Sequence, residues 1–427
     1  MELSPDRPQE QLPHMPRSGK SETERALRNG HYEAVSTTIF ANLLVGPYLT
    51  GYLLYLGASA GQVGFITALP LLMNAAIVMI SAFLMEKFTN RYRIAMVALL
   101  FHRGLLCACG LIPFLVPSDW QVTAFTVLFV VLCLCGSISS APFTTLFADM
   151  VPPDRRARYF GMRFTLTGVA ASVTLLAAGS GLDRVSQARG FAWLFILGTV
   201  AAVINMFYLF RYPNIPYKPT GSGLSLQVLV RPFRDRGFIR SILFVSFWIM
   251  AQGSTISLFS YVMLDIMKIN YEWVGISNTL LAIVSIAAYA VWGKLNTKWS
   301  NRQLLLWVFP LNAVSVILWG LQVALPVNAM LLVVYTFLGI SMAGFGLLVF
   351  NFVMSDTPEK DRPMYYAVYA SMTGLFGFLG PFLGGQLFQV MKAWPKWFQA
   401  YGFFVSTGLV MLLASLTLSF RIFGEKK

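Results

Sequence analysis

Charge is scarce in this chain. Only 12% of its 427 residues are Asp, Glu, Lys or Arg, against about a quarter in a soluble domain. That deficit excludes a soluble protein of any fold. Negative charge is the scarcer sign, 18 acids against 32 Lys and Arg. No acid falls deep inside an apolar run: Glu33, Asp149, Asp183, Asp265 and Glu272 all read as helix-end residues. No G-x-x-x-x-G-K-[ST] loop occurs, which excludes a primary pump in one chain. There are 4 cysteines, Cys107, Cys109, Cys133 and Cys135, all in apolar runs. Residues two apart on a helix do not face one another, so their C-x-C spacing reads as small buried residues rather than a metal site. No Asn-x-Ser/Thr sequon is present, and the expected outer loops are very short. Both features favour a bacterial inner membrane. No cofactor is expected.

What is abundant is apolar sequence, 56% of the chain, in runs of about 20 residues, enough to cross a hydrocarbon core as a helix. Open sheets and irregular backbone cannot face lipid, so the runs are helices. Twelve are expected, at 33–56, 63–85, 94–116, 122–147, 161–181, 191–210, 239–263, 273–293, 304–322, 328–354, 366–390 and 398–420. Residues 1–32 are polar and mixed in charge and read as a disordered tail, with no secretory signal. Residues 211–238 carry Pro213, Pro216, Pro219, Gly221 and Gly223 and read as a linker between two six-helix halves, 33–210 and 239–420. Residues 421–427 form a short tail.

The net charge of +14 could suggest a nucleic-acid partner, but its distribution argues against one. Basic residues gather in alternate loops, with only Arg184, Arg189, Lys268, Lys392 and Lys396 on the other side. That is the positive-inside pattern of a multi-pass membrane protein with both termini cytoplasmic. The expected surroundings are therefore the lipid bilayer of the cell (inner or plasma) membrane. A monomer is expected.

The chain also repeats itself. Lys87-Phe88-Thr89-Asn90-Arg91 recurs 211 residues later as Lys298-Trp299-Ser300-Asn301-Arg302, and Val63-Gly64 recurs as Val274-Gly275. Pro152, Arg156, Tyr159, Thr167 and Gly168 recur 206 residues later as Pro358, Arg362, Tyr365, Thr373 and Gly374. Internal repeats of this kind mark transporters whose site lies between related halves.

Two six-helix halves, short outer loops and a basic central connection resemble the major facilitator superfamily. The loop after the second span strengthens the resemblance. Family members carry G-x-L-a-D-r-x-G-r-r there. This chain has Ala82-Phe83-Leu84-Met85-Glu86-Lys87-Phe88-Thr89-Asn90-Arg91 and, in the second half, Gly293-Lys294-Leu295-Asn296-Thr297-Lys298-Trp299-Ser300-Asn301-Arg302. Both copies are worn: Ala82 replaces the first Gly, Glu86 the Asp, Thr297 the second acid, and neither keeps the inner Gly. The resemblance spans about residues 33–420. It implies an all-α membrane fold of two six-helix bundles related by a pseudo-two-fold axis.

The resemblance also implies a cytoplasmic latch. Glu86 would meet the start of the eleventh span near Met364 and Tyr365, where a helix N-terminus favours a carboxylate. Lys87 or Arg91 would meet Asp149, and Lys298 or Arg302 would meet Asp356. The alternative is solvated charges that only set topology, since surface ion pairs contribute little. The eleventh span, with Gly374, Gly377, Gly380, Pro381, Gly384 and Gly385, reads as a deformable gating helix or as a closely packed one. The Gly-Pro-x-x-Gly-Gly signature that drug/proton antiporters carry in the fifth span is absent there.

In the family, spans one, four, seven and ten line the cavity. The candidates for substrate contact are Asn42, Tyr48, Ser140, Trp248, Gln252, Tyr261 and Asn351. Arg103 lies about 14 Å into the third span at about 1.5 Å per residue. A charge there is costly and a functional candidate. It would suit an anionic substrate, or else be a structural residue bonded to neighbouring carbonyls. Its second-half counterpart, Ala313–Val314, is apolar. His102 beside it can titrate near neutral pH, but adjacent residues point different ways, so both cannot easily face a cavity. Proton coupling would use an end-located acid such as Glu33, or His102, or be absent. The function expected is secondary active or facilitated transport of a small solute, efflux ahead of uptake of a small polar or anionic metabolite. A sensor with a transporter fold is the other reading. An enzyme is not expected, because no nucleophile–base or paired-carboxylate constellation is evident.

Overall fold

The computed structural model describes residues 20–87, 90–151, 155–214, 232–355 and 362–423, without the side chains of 20–23, 78–87, 148, 156–158, 354–355, 362–364 and 367. Among the described residues, twelve helices are long and apolar enough to cross a membrane. They are span 1 (Glu24–Tyr55), span 2 (Ala60–Ile77), span 3 (Arg91–Cys109), span 4 (Ser118–Phe147), span 5 (Tyr159–Asp183) and span 6 (Gln187–Leu209), then span 7 (Arg236–Ile266), span 8 (Tyr271–Asn296), span 9 (Asn301–Val323), span 10 (Val327–Val353), span 11 (Val368–Ala393) and span 12 (Phe398–Phe423). The described residues at the two ends of the chain lie on one side of this array, called here the terminal side.

The packing repeats with the sequence. Span 1 packs on spans 5 and 6, and span 4 on spans 2 and 3; six places on, span 7 packs on spans 11 and 12, and span 10 on spans 8 and 9. The halves meet along two seams, span 2 with span 11 and span 5 with span 8. Moving each partner six places converts one seam into the other, as a pseudo-two-fold axis between the halves requires. Spans 4 and 10 have no extended packing on each other among the described residues.

Span 1 departs from expectation. Its helix begins at Lys20, inside the stretch expected as a tail, and runs to Leu44. It breaks at Gly46 and resumes at Pro47–Tyr55, because proline at a first helical position lacks only an N–H that would be unpaired anyway. Glu33 therefore lies well inside a helix, not at its end. Polar turns before Glu33 hide the helix from a hydropathy reading, but they pack: Ala26 and Leu27 join a buried cluster with Met96, Phe147, Tyr159 and Tyr212.

The glycines of span 11 serve close packing on two faces. A Cβ on Gly380 would lie 2.5 Å from the Met250 carbonyl oxygen of span 7, and one on Gly385 would lie 2.7 Å from the Ala60 carbonyl oxygen of span 2. Within bilayers such backbone approach supplies much of the helix association. Gly380→Val is expected to lower stability by about 1–3 kcal/mol through overpacking against backbone that cannot yield. A thermal-unfolding midpoint in detergent equal to wild type would refute this.

Candidate transport site and gates

On the terminal side, span 3 starts with Asn90, whose side chain accepts a hydrogen bond from the Arg93 N–H at 3.0 Å. The next residue, Arg91, points inward and is 1% exposed. It meets Asp149 at the end of the span 4 helix, Nη2 to Oδ2 2.5 Å, with the carboxylate 53% exposed. So the repeat motif places Arg91 against Asp149. The second copy begins span 9 with a reciprocal capping box, Ser300 and Gln303. Part of what is copied is therefore a helix-start signal. Arg302 lies over the Phe352 ring of span 10 at 5.5 Å, and Lys298 is exposed. Asp356 lies outside the described residues, as do the side chains of Glu86, Lys87 and Met364. Tyr365 packs edge-on against Phe238 at 4.6 Å, and its hydroxyl donates to Asp235 Oδ2 at 3.4 Å.

A polar cluster that the sequence reading did not assemble lies within the first half. Glu33 is 3% exposed and gathers donors from three spans. Arg163 Nη2 is 2.7 Å from Oε2. The Thr37 hydroxyl donates to Oε1 at 2.8 Å, and the Tyr212 hydroxyl to Oε2 at 3.3 Å. Asn205 of span 6 donates to the Thr37 hydroxyl at 2.7 Å and to the Glu33 carbonyl at 3.1 Å. Burial, and then the Glu33 charge, push the Tyr212 phenol well above its ordinary value, so it stays a donor. In sequence, Glu33 read as a helix end and Arg163 as a topology charge. A basic residue near the start of one apolar run and an acid at the first position of another was the available signal.

Arg103 extends this cluster. Its Nε donates to Asn205 Oδ1 at 3.3 Å, its guanidinium stacks over the Phe40 ring at 4.5 Å, and Nη1 lies 3.1 Å from His102 Nδ1. These partners belong to spans 1, 3 and 6 of the first half. Although the two residues leave the helix in different directions, the long guanidinium folds back onto the ring of its neighbour. Gly136 of span 4 makes room for that ring, since a Cβ there would lie 2.8 Å from His102 Cδ2.

Several cavity candidates are engaged with neighbouring helices. The Tyr48 hydroxyl donates to the Leu175 carbonyl of span 5. Trp248 Nε1 donates to Asn312 Oδ1 of span 9 at 3.2 Å, Gln252 Nε2 to the Met342 sulfur of span 10 at 2.8 Å, and Tyr261 packs edge-on against Phe388 of span 11 at 5.7 Å. Each of these four is at least 95% buried. Asn42, Ser140 and Asn351 remain partly exposed. Asn42 and Ser140 bond to their own helix, to the Thr38 carbonyl at 2.9 Å and the Ser137 carbonyl at 2.8 Å. Such local bonds can be exchanged for a ligand without opening a helix.

On the far side the halves touch at both seams. Gly64 meets the Pro381 carbonyl across the span 2–span 11 seam, and the Gly61 N–H donates to Gln389 Oε1 at 3.2 Å. At the other seam, Asp183 accepts from the backbone of Tyr271 and Glu272. The four cysteines are free, and no group of three or more metal-ligating side chains occurs among the described residues.

This architecture is shared with solved transporters. The nucleoside transporter NupG superposes with a TM-score of 0.70 at 12% identity, over 95% of this chain and 100% of that one. An auto-inhibited POT family peptide transporter gives 0.68 at 11%, over 95% and 98%. The inward-open xylose transporter XylE from E. coli gives 0.63 at 14%, over 95% and 96%. No curated protein sequence matches. The family model of the Major Facilitator Superfamily matches residues 34–381 and again 242–426. With twelve spans, two seams and a repeat relating them, the chain is a multi-pass membrane transporter that belongs to the Major Facilitator Superfamily.

Proposed function

We propose that this transporter moves a small polar or amphipathic solute without a net charge, by rocking its halves about the two seams. The observation that carries the reading is the contrast between the seams and the middle. Spans 2–11 and 5–8 touch at backbone level toward the far side, while spans 4 and 10 are not packed together. The partly exposed amides and hydroxyls of Asn42, Ser140 and Asn351 suit hydrogen bonding to an uncharged ligand, and Arg103 serves the first half's polar cluster. NupG, XylE and the POT proteins are named for nucleoside, xylose and peptide transport, which supports the same substrate range here. Both termini are cytoplasmic by the positive-inside rule, in the cell membrane of a chain acting as a monomer. The far side is then the outer side. Glu33 is the one buried carboxylate among the described residues, paired with Arg163, and we assign it as the coupling residue.

Efflux is the direction weighted first by the sequence, and uptake the second. Reconstitution into proteoliposomes separates them. Radiolabelled uridine, xylose, a dipeptide and a cationic amphiphile are tested in counterflow, and then under an imposed pH gradient. Saturable counterflow of uridine, xylose or the dipeptide is expected, with gradient-driven accumulation lost in Glu33→Gln and counterflow retained; counterflow of the cationic amphiphile alone would overturn the uncharged-solute reading. Ligand binding without movement of any probe would turn the reading toward a sensor.

A further inference from the structure

The helix of span 8 begins at Tyr271, and its own N-cap residue, Asn270, makes no side-chain hydrogen bond to it. The first amides of a helix have no partner within it and are a fixed liability unless capped. Here the cap comes from the other half of the molecule. Asp183, the last residue of the span 5 helix, accepts from the Tyr271 N–H with Oδ1 at 2.9 Å and from the Glu272 N–H with Oδ2 at 2.7 Å. Both carboxylate oxygens are used. The bonds are charge-assisted and lie at the positive end of a helix dipole.

The surroundings leave this corner little slack. A Cβ on Gly179 would lie 2.6 Å from the Tyr271 carbonyl oxygen, and one on Gly275 would lie 2.6 Å from the Leu175 carbonyl oxygen. Tyr48 of span 1 bonds to that same Leu175 carbonyl, and Ser180 donates to Glu272 Oε1 at 3.3 Å. The two helices therefore meet backbone to backbone where the carboxylate bridges them. Asp183 itself is exposed, so water can take over its bonds when the helices part. A buried pair in this place would lock the seam; an exposed one can release it in every cycle.

We propose that Asp183 is the outer gate clasp, a gate-positioning residue that favours the outward-closed state by capping span 8 across the halves. Opening outward separates spans 5 and 8, strips the cap from Tyr271 and Glu272, and returns those amides to water. The inference rests on alternating access. Its test needs no substrate, so failure to find a transported solute does not count for or against it.

The test is a distance measurement between spin labels at Ser186 and Lys268, two exposed far-side positions on opposite halves, in wild type, Asp183→Asn and Asp183→Ala. Loss of a cap is expected to raise the open-to-closed ratio by about 2- to 30-fold in Asp183→Ala. Asp183→Asn should fall between, because its amide oxygen can still accept one of the two bonds. An Asp183→Ala distribution superimposable on wild type overturns the clasp. If Asp183→Ala fails to fold, an Asp183→Asn distribution identical to wild type overturns it equally.

Discussion

Glu33→Ala is expected to lower stability by about 3–5 kcal/mol, the cost of stranding a buried partner charge. Arg163, 16% exposed, would lose its carboxylate. Thr37 and Tyr212 would lose an acceptor, and Asn205 would stay tied to a weakened network. Glu33→Gln keeps the shape and one acceptor oxygen, so a smaller loss of about 1–3 kcal/mol is expected. Thermal unfolding in a fixed detergent orders the three proteins as wild type, Gln, Ala. If the alanine variant melts within error of wild type, the cluster does not hold the first half together. The double substitution Glu33→Gln with Arg163→Gln should be less damaging than the two single changes added together, because neither leaves the other's charge behind.

Reversal of one charge at the Arg91–Asp149 pair is expected to lower transport about tenfold, with little change in stability for the half-exposed Asp149 and a larger loss for the buried Arg91. The Asp149 carboxylate is half-exposed, so solvent screens its contribution to folding to about 1 kcal/mol or less, whereas Arg91 is buried and an acid in its place would stand as an unpaired buried charge. The pair joins the starts and ends of spans 3 and 4 on the side that must open and close, and a gate bias of about 1–3 kcal/mol moves activity by that factor. Arg91→Asp together with Asp149→Arg should recover transport lost in either single variant. Recovery is read as initial rate at matched protein per liposome; a double variant as slow as the singles sinks the pairing as a gate element.

Which side chain meets which was the part hardest to see in the chain. Arg91–Asp149 was legible as one of two alternatives because a short repeat set the register of both loops. Glu33–Arg163 was not: the partners are 130 residues apart, and the polar turns of Lys20–Leu44 disguise where span 1 begins. The Asp183 cap was equally hidden, since a helix cap is ordinarily read from the residue just before the helix, and Asn270 stands there in that role. Span and polarity made Gln252 and Trp248 cavity candidates; their bonds to Met342 and Asn312 depend on rotation about the helix axis, which the sequence does not carry. A polar side chain on a cavity-lining span points to its neighbours as readily as to the cavity.

By itself the sequence determined the helical membrane class, the number of spans, the pairing of the halves and the family. Each follows from local composition or from a repeat, because lipid forces backbone polar groups into helices and a duplicated chain folds its copies alike. Only the tertiary structure decided that Arg103 serves a polar cluster inside the first half, that glycines of span 11 pack on two different helices, and that a carboxylate of one half caps a helix of the other. Those outcomes depend on helix rotation and on contacts between residues far apart in the chain. Such contacts leave no periodic trace in the order of the amino acids.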